Sequence, residues 1–432
     1  MSYRRGVSSV LAALVMVVAT QAKADVDVYK TDDANLALGA MIQALGNGEK
    51  VSDPYRNDVR LYLFMKEARF RMSGGYQDYR FHLELGMGSE DTVVSQTGIA
   101  LGLLDFNVDV PLHRGSHTYV RVGQQKVAYG REGLEYSGEV PFDDRSVEYL
   151  GFKVGRDLGA AVITQPGLFT GILGVYTGGG RDVPPNHYLP QNLGFPLVAA
   201  RAGIGNVDGP DPLHLDADDL ERPDRVRAGI FVNGLYTHDS IVGHSSVLNV
   251  KLTDKSLLLD SNWNPYIGGA PVKPGEWWQV GADAVVRAPI GWNYAMTGEV
   301  QGDWAGFTNP NGVVHLAGGR AIVGVSRGPF ELAVRYAALF PDKQFRANGT
   351  SISDGDPIQE ITPSLTWHIR GRNLQLTADA PQILHAPVFV EKGVGAYVGT
   401  ELPDQSAVAG KNGGIVNYQN VAEARMMFQA QF

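Results

Sequence analysis

His82 and Glu84 stand two residues apart, the spacing that puts two metal-binding side chains on one face of a strand. A metal site needs further ligands, and the sequence around them offers none, so a hydrogen bond in a wet environment is expected instead. The acids Asp208, Asp211, Asp216, Asp218, Asp219 and Glu221 supply oxygens at a density that suits calcium. They lack the order of an EF-hand and read as a hydrated acidic loop. Gly203, Gly205 and Gly209 imitate a phosphate cradle but do not join a strand to a helix. Hydrolysis needs a serine beside a histidine, yet His82 and His368 fall on polar strand faces and no G-x-S-x-G turn occurs. No catalytic residue, cofactor or metal site is therefore expected. What the chain has in quantity is fixed charge, and fixed charges facing water sort ions by sign.

Strands must position those charges. From Trp292 to Trp304 one face reads Trp292, Tyr294, Met296, Gly298, Val300, Gly302, Trp304, and the other Asn293, Ala295, Thr297, Glu299, Gln301, Asp303. Strict alternation predicts a strand with one apolar and one wet face. The same phase recurs in Tyr79–Met87, Leu104–Val110, Val226–Tyr236, Trp278–Val286, Phe330–Tyr336 and Ile361–Ile369. An arginine at mid-bilayer on the lipid side costs about 2–4 kcal/mol, so if these strands span a membrane the arginines turn inward onto water. A soluble β-sandwich explains the alternation equally well. It does not explain aromatics at both strand ends, nor a last strand in which Met426, Phe428 and the terminal Phe432 share the apolar face.

Sixteen strands are expected, near 36–45, 58–72, 76–88, 99–111, 116–128, 157–164, 168–178, 225–237, 246–254, 276–288, 292–304, 317–327, 329–340, 358–370, 372–380 and 420–432. The pattern is weakest at 36–45 and 246–254, and 14 or 18 strands fit it too. Short turns then alternate with long loops, as in outer-membrane barrels. The long ones fall near 46–57, 89–98, 129–156, 179–224, 255–275, 305–316, 341–357 and 381–419, with 179–224 a long acidic extracellular loop.

The first residues read as an export signal: Arg4 and Arg5, an apolar run from Val10 to Ala19, then Ala22-Lys23-Ala24 as a cleavage site. Residues 1–24 are expected to be removed and 25–432 to form the barrel. Losing Arg4, Arg5 and Lys23 leaves 34 basic against 46 acidic side chains, which argues against a nucleic-acid partner. There is no cysteine, and a chain this long needs no disulfides to fold.

Residues 119–162 carry Gly123, Gln124 and Lys126 at a strand end, then Glu132, Ser137, Phe142, Arg145 and Ser146, then Arg156-Asp157-Leu158-Gly159. This run resembles the phosphate-selective porin O and P family, and residues 64–74 are similar to that family's early basic strand. The resemblance implies a trimeric, 16-stranded porin for passive diffusion of small hydrophilic solutes, including anions. It implies that 129–156 folds inward as a constriction loop, and that outer-membrane lipid and lipopolysaccharide surround the barrel. The terminal Phe432 is the signal such barrels present to the assembly machinery. Where the family has proline after Lys-Val, this chain has Ala128, and few lysines lie in the wall, so the phosphate preference is not carried over. The expected lining of the pore and its constriction is Arg69, Arg71, Arg80, Arg121, Lys126, Arg131, Glu132, Glu135, Asp143, Asp144, Arg145, Arg225 and Arg227. Among these, Arg80 and Arg121 are expected to face Glu132 and Glu135.

Overall fold

The computed structural model describes residues 26–51, 59–88, 101–178, 196–207, 209, 211–215, 225–238, 266–267, 270–271, 276–291, 293–309, 312–342, 346–347, 350–351, 355–391, 395–397 and 415–432. The expected signal, 1–24, lies outside them.

Sixteen antiparallel strands close on themselves. They are β1 (Ala34–Val51), β2 (Arg60–Tyr76), β3 (Tyr79–Gly86), β4 (Gly102–Pro111), β5 (Thr118–Lys126), β6 (Arg156–Thr164), β7 (Phe169–Tyr176) and β8 (Leu197–Gly205). Then come β9 (Arg227–His238), β10 (Glu276–Pro289), β11 (Tyr294–Asn309), β12 (Gly312–Arg327), β13 (Phe330–Pro341) and β14 (Ile358–Arg372). The fifteenth, β15, runs through Leu374–Asp379 and resumes as Gln382–Glu391 beyond Pro381, and β16 is Ile415–Gln431. Each strand pairs with the next, and β16 returns to β1 with Met41 opposite Gln431. Beyond that point a short strand, Val26–Lys30, continues the ladder along β1 with Val26 opposite Leu38. No sheet edge is left along the seam, as closure requires.

Alternation sets the two faces. On β11, Val300 and Trp304 point out while Glu299, Gln301 and Asp303 are buried within the barrel. Ile230, Val232, Val323, Leu332, Val334, Leu365 and Met426 likewise form an apolar exterior. Aromatic groups mark both ends: Trp278, Trp304 and His315 cluster at the loop end, and Phe330 stacks on Trp367 at the end that holds both termini.

Three expectations are corrected. The predicted strand 246–254 lies outside the described residues, and the eighth strand is Leu197–Gly205, inside the stretch assigned to one long outer loop. Its sequence, LVAARAGIG, is mostly small residues, so it lacks the bulky alternation that marks the others. The supposed loop 179–224 is thus divided, and 206–226 connects β8 to β9 at the terminal end. Between β11 and β12 there is no long loop either, since Asn309 pairs with Gly312. Last, the phase expected for β4 slips at its start. Glu84 pairs with Asp105 but Leu85 pairs with Leu103, so Leu104 is an extra residue, a β-bulge, and both Leu104 and Asp105 turn inward.

Candidate functional site

The connection from β5 to β6, residues 127–155, folds into the barrel instead of standing over it. Lys126 starts the turn: buried at the strand end, its ammonium group donates to the carbonyls of Leu134 and Glu135, 2.9 Å each. Those carbonyls close the short helix α1 (Arg131–Leu134), which Gly130 introduces at φ 66°, where glycine carries no steric cost. Ser146 caps the second helix, α2 (Val147–Phe152), by accepting from the Tyr149 amide at 3.1 Å. Glu132 ties the two helices by accepting from the Ser146 hydroxyl and amide at 2.5 and 2.8 Å.

Gly123 and Gln124 act one step earlier. Gly123 has φ 132°, and a Cβ there would lie 2.1 Å from the Phe106 carbonyl oxygen. That close approach lets Nε2 of the Gln124 side chain donate to the carbonyls of Leu103 and Leu104, 2.6 and 2.8 Å away, which satisfies the bulge.

The loop is fixed around most of the inner wall. Arg131 donates to Asp283 of β10 at 2.8 Å, and Arg201 of β8 donates to the same carboxylate at 2.8 Å. The Arg131 amide donates to Gln301, and the Tyr129 hydroxyl to Asp303, both on β11. Glu132 lies 3.2 Å from Arg320 and 3.5 Å from Arg335, on β12 and β13. The Val147 amide donates to Glu360 of β14, and the Asp143 amide to Asp379 of β15. Lys66 of β2 donates to the Asp143 carbonyl and lies 3.7 Å from Asp144, as does Arg425 of β16. Ser137 donates to Glu67, and Gln43 and Gln429 donate to loop carbonyls on the β1 and β16 side. Beneath the loop, Val140 and Phe142 pack on Ile322 and Ala333, so part of the inner wall is apolar.

A second segment enters from the opposite end. After Asn206 the chain climbs the lumen, and Leu213 and Leu215 pack with Tyr119, Ala128, Leu134, Ala161, Ile163 and Ile172. The Leu215 amide donates to the Leu134 carbonyl at 2.9 Å, and the Tyr136 amide to the Leu215 carbonyl at 3.1 Å. Asp211 accepts from Arg121 at 3.0 Å, while Asp109 takes the other edge of that guanidinium at 2.6 and 2.9 Å.

Burial and charge divide the loop acids. Burial works to raise Glu132, but Arg320, Arg335 and Arg145 outweigh it and hold the carboxyl below its ordinary value. Burial, with the Glu299 carboxylate adding to it, pushes Glu135 up to about 8 against Arg320, Arg131 and Arg145. Burial and Asp303 together push Glu148 well up. One loop therefore holds a fixed anion, Glu132, beside Glu135, which keeps its proton at neutral pH, and Glu148, whose carboxyl is held above its ordinary value.

The expected set divides accordingly. Lys126, Arg131, Glu132, Glu135, Asp143, Asp144 and Arg145 lie in or at the inward loop, with Arg145 donating to the Glu135 carbonyl. Arg69 lies 3.0 Å from Glu67 and 3.3 Å from Glu84, and Arg71 sits over the Tyr136 ring. The proposed facing of Arg80 and Arg121 with Glu132 and Glu135 is not what forms. Both arginines pair with Asp109, because Glu132 is taken by β12 and β13. Arg225 and Arg227 sit at the terminal end, where Arg227 donates to the Asn206 and Val207 carbonyls. Sequence reasoning missed Arg201 and His214 and read Asp211 only as part of a hydrated acidic loop, all three lying in the stretch taken for an outer loop. It also missed Glu360 and Asp379, which an inward phase count along β14 and β15 could have found.

The family model described as phosphate-selective porin O and P matches residues 49–198. A comparison with curated protein sequences finds no match. Among solved structures, the chain is similar to OprB of Pseudomonas putida at high pH, with 10% identity and a TM-score of 0.53 over 93% of this chain and 94% of that one. It is also similar to the outer membrane channel DcaP of Acinetobacter baumannii, with 10% identity and a TM-score of 0.51 over 94% and 100%. Likeness at such identity speaks for the fold alone, which is the 16-stranded porin barrel. The matched residues take in β2 to β7 and the inward loop between them, the segment that carries the motif, and over that segment the chain is similar to the phosphate-selective porin O and P family.

Proposed function

We propose that the chain forms a water-filled channel through which small hydrophilic solutes and ions diffuse down their gradients, with weak charge selectivity and no preference for phosphate. The observation that carries this reading is the charged loop 127–155, laid inside a closed barrel and bound to its wall. Such a loop narrows a hydrated path, and filtration by width and charge needs neither cofactor nor energy. Weak selectivity follows from the pairing. Arg121, Arg131, Arg201, Arg320, Arg335 and Arg425 each lie against a wall carboxylate, and Lys66 and Lys126 bind loop carbonyls. Arg71, Arg80, Asp144 and Arg145 keep part of their surface exposed and line the path in this reading.

The same reading includes export by cleavage after Ala24, recognition of Phe432 during assembly, lipopolysaccharide around the barrel, and a homotrimer. Trimers rest on the family resemblance and on an apolar outer wall that serves lipid or a second copy equally. Planar-bilayer recording tests the function. Conductance in steps of three, with a small reversal potential in a potassium chloride gradient that phosphate leaves unchanged, is expected. A silent barrel overturns the channel, and a block of chloride current by phosphate overturns the weak selectivity.

A further inference from the structure

The bulge in β4 brings Asp105 beside Glu84, and the segment rising from the terminal end brings His214 to the same place. With His82 two residues before Glu84, four side chains from three parts of the chain each offer one ligand atom, all within 4.8 Å of one another. We propose that this cluster is a divalent transition-metal site, of the class zinc represents, and that the bound ion pins the rising segment to the barrel wall.

Four observations carry the proposal. First, the donor set of two imidazoles and two carboxylates is one that zinc and its neighbours accept. Second, the ligand atoms lack hydrogen-bond partners. Both oxygens of Glu84, Oδ1 of Asp105, Nε2 of His82 and Nε2 of His214 are buried without a hydrogen bond, and both carboxylates are fully buried. Leaving such atoms unsatisfied is costly, so a ligand in their midst is the natural occupant. Third, His214 is already oriented. Its Nδ1 lies 3.0 Å from Asp211, and a carboxylate only accepts, which places a proton on Nδ1 and leaves Nε2 to face the cluster. Asp211 is in turn held by Arg121 at 3.0 Å, giving the carboxylate–histidine arrangement that commonly backs a bound metal. Fourth, the acids are held in place by neighbouring guanidinium groups. Arg156 donates at 2.8 Å to Oδ2 of Asp105, the oxygen that lies 3.7 Å from His214 Nε2, and Arg69 lies 3.3 Å from Glu84.

Neither arginine closes the cluster. Arg156 stays 3.7 Å from Glu84, and no hydrogen bond joins either guanidinium to its oxygens. His82 Nε2 stands 3.8 Å from Glu84, and His214 Nε2 3.7 Å from Asp105. Tetrahedral zinc sets its ligand atoms about 3.3 Å apart, so rotamer shifts of under an ångström gather all four. Lys126 and Arg69 are nearby cations that weaken the site and favour moderate affinity over permanent occupancy.

The test uses the full-length, detergent-solubilised barrel and zinc alone. Equilibrium dialysis followed by elemental analysis is expected to find one zinc per chain. His82→Gln and His214→Gln should each lower the affinity at least tenfold while heat-modifiable migration on gels persists. Cobalt should give the visible absorption of a four-coordinate site in the parent and lose it in His214→Gln. No bound zinc in the folded parent overturns the proposal, and so does zinc held equally by both variants. If a variant fails to fold, Asp211→Asn replaces it, and unchanged zinc affinity in that variant counts against the orientation argument and the site. The result does not depend on conductance, so it stands apart from the channel reading.

Discussion

A single carboxylate, Asp283, holds Arg131 of the inward loop and Arg201 of the wall, and all three side chains are buried. Removing one member of a buried ion pair strands the remaining charge, at about 3–5 kcal/mol. Asp283→Asn is therefore expected to lower the temperature at which the unheated gel form is lost, and to raise open-channel noise as α1 detaches. An unchanged melting profile contradicts the coupling. Glu135 gives a pH dependence. Its value of about 8 stands above the ordinary 4.5, so between these two the folded chain keeps a proton that the unfolded chain releases. Its contribution to stability is complete below about 4.5, declines as pH rises, and is lost above about 8. Glu135→Gln should flatten the fall in thermal stability between pH 5 and pH 9, and a slope equal to the parent's refutes the assignment.

At the scale of elements, the family motif is a device for turning the chain inward. Gly123 lets β5 approach β4, Gln124 satisfies the bulge, Lys126 ends the strand on α1, and Ser146 with Glu132 fixes α2 to α1. Gly123→Ala puts a Cβ against the Phe106 carbonyl at a φ that other residues rarely adopt, at about 1–3 kcal/mol. It should reduce the folded fraction measured by gel shift more than Gly115→Ala, whose added Cβ meets nothing although its φ is also positive. Equal losses from the two would remove the close-approach argument. The motif was readable from the sequence, but the bulge it serves was not. One inserted residue leaves the composition of β4 unchanged and shows only as Leu104 and Asp105 facing the same way. β8 escaped for another reason: with alanine and glycine at most positions, its two faces differ too little in bulk to mark a phase.

For the whole molecule, the division into apolar exterior and charged interior makes position along a strand decisive. Val300→Arg places a cation on the outer face and should cost about 2–4 kcal/mol at mid-bilayer. Val300→Thr, which introduces no charge, should cost far less in folding yield into lipid vesicles. A soluble, vesicle-independent Val300→Arg barrel would show that the exterior never meets lipid. Alternation alone made this division visible, since it needs only the period of two. The pairing across the lumen was not visible: Arg335 with Glu132, or Arg121 with Asp211, joins residues far apart in sequence once the barrel has closed. The joint between Leu215 and the Leu134–Tyr136 turn adds a last consequence. The chain reaches its narrow level from both mouths at once, so the bore is set jointly from the two sides of the envelope. Lengthening the connection between β8 and β9 should retune the passage while every surface feature seen by phage or antibody stays as it was.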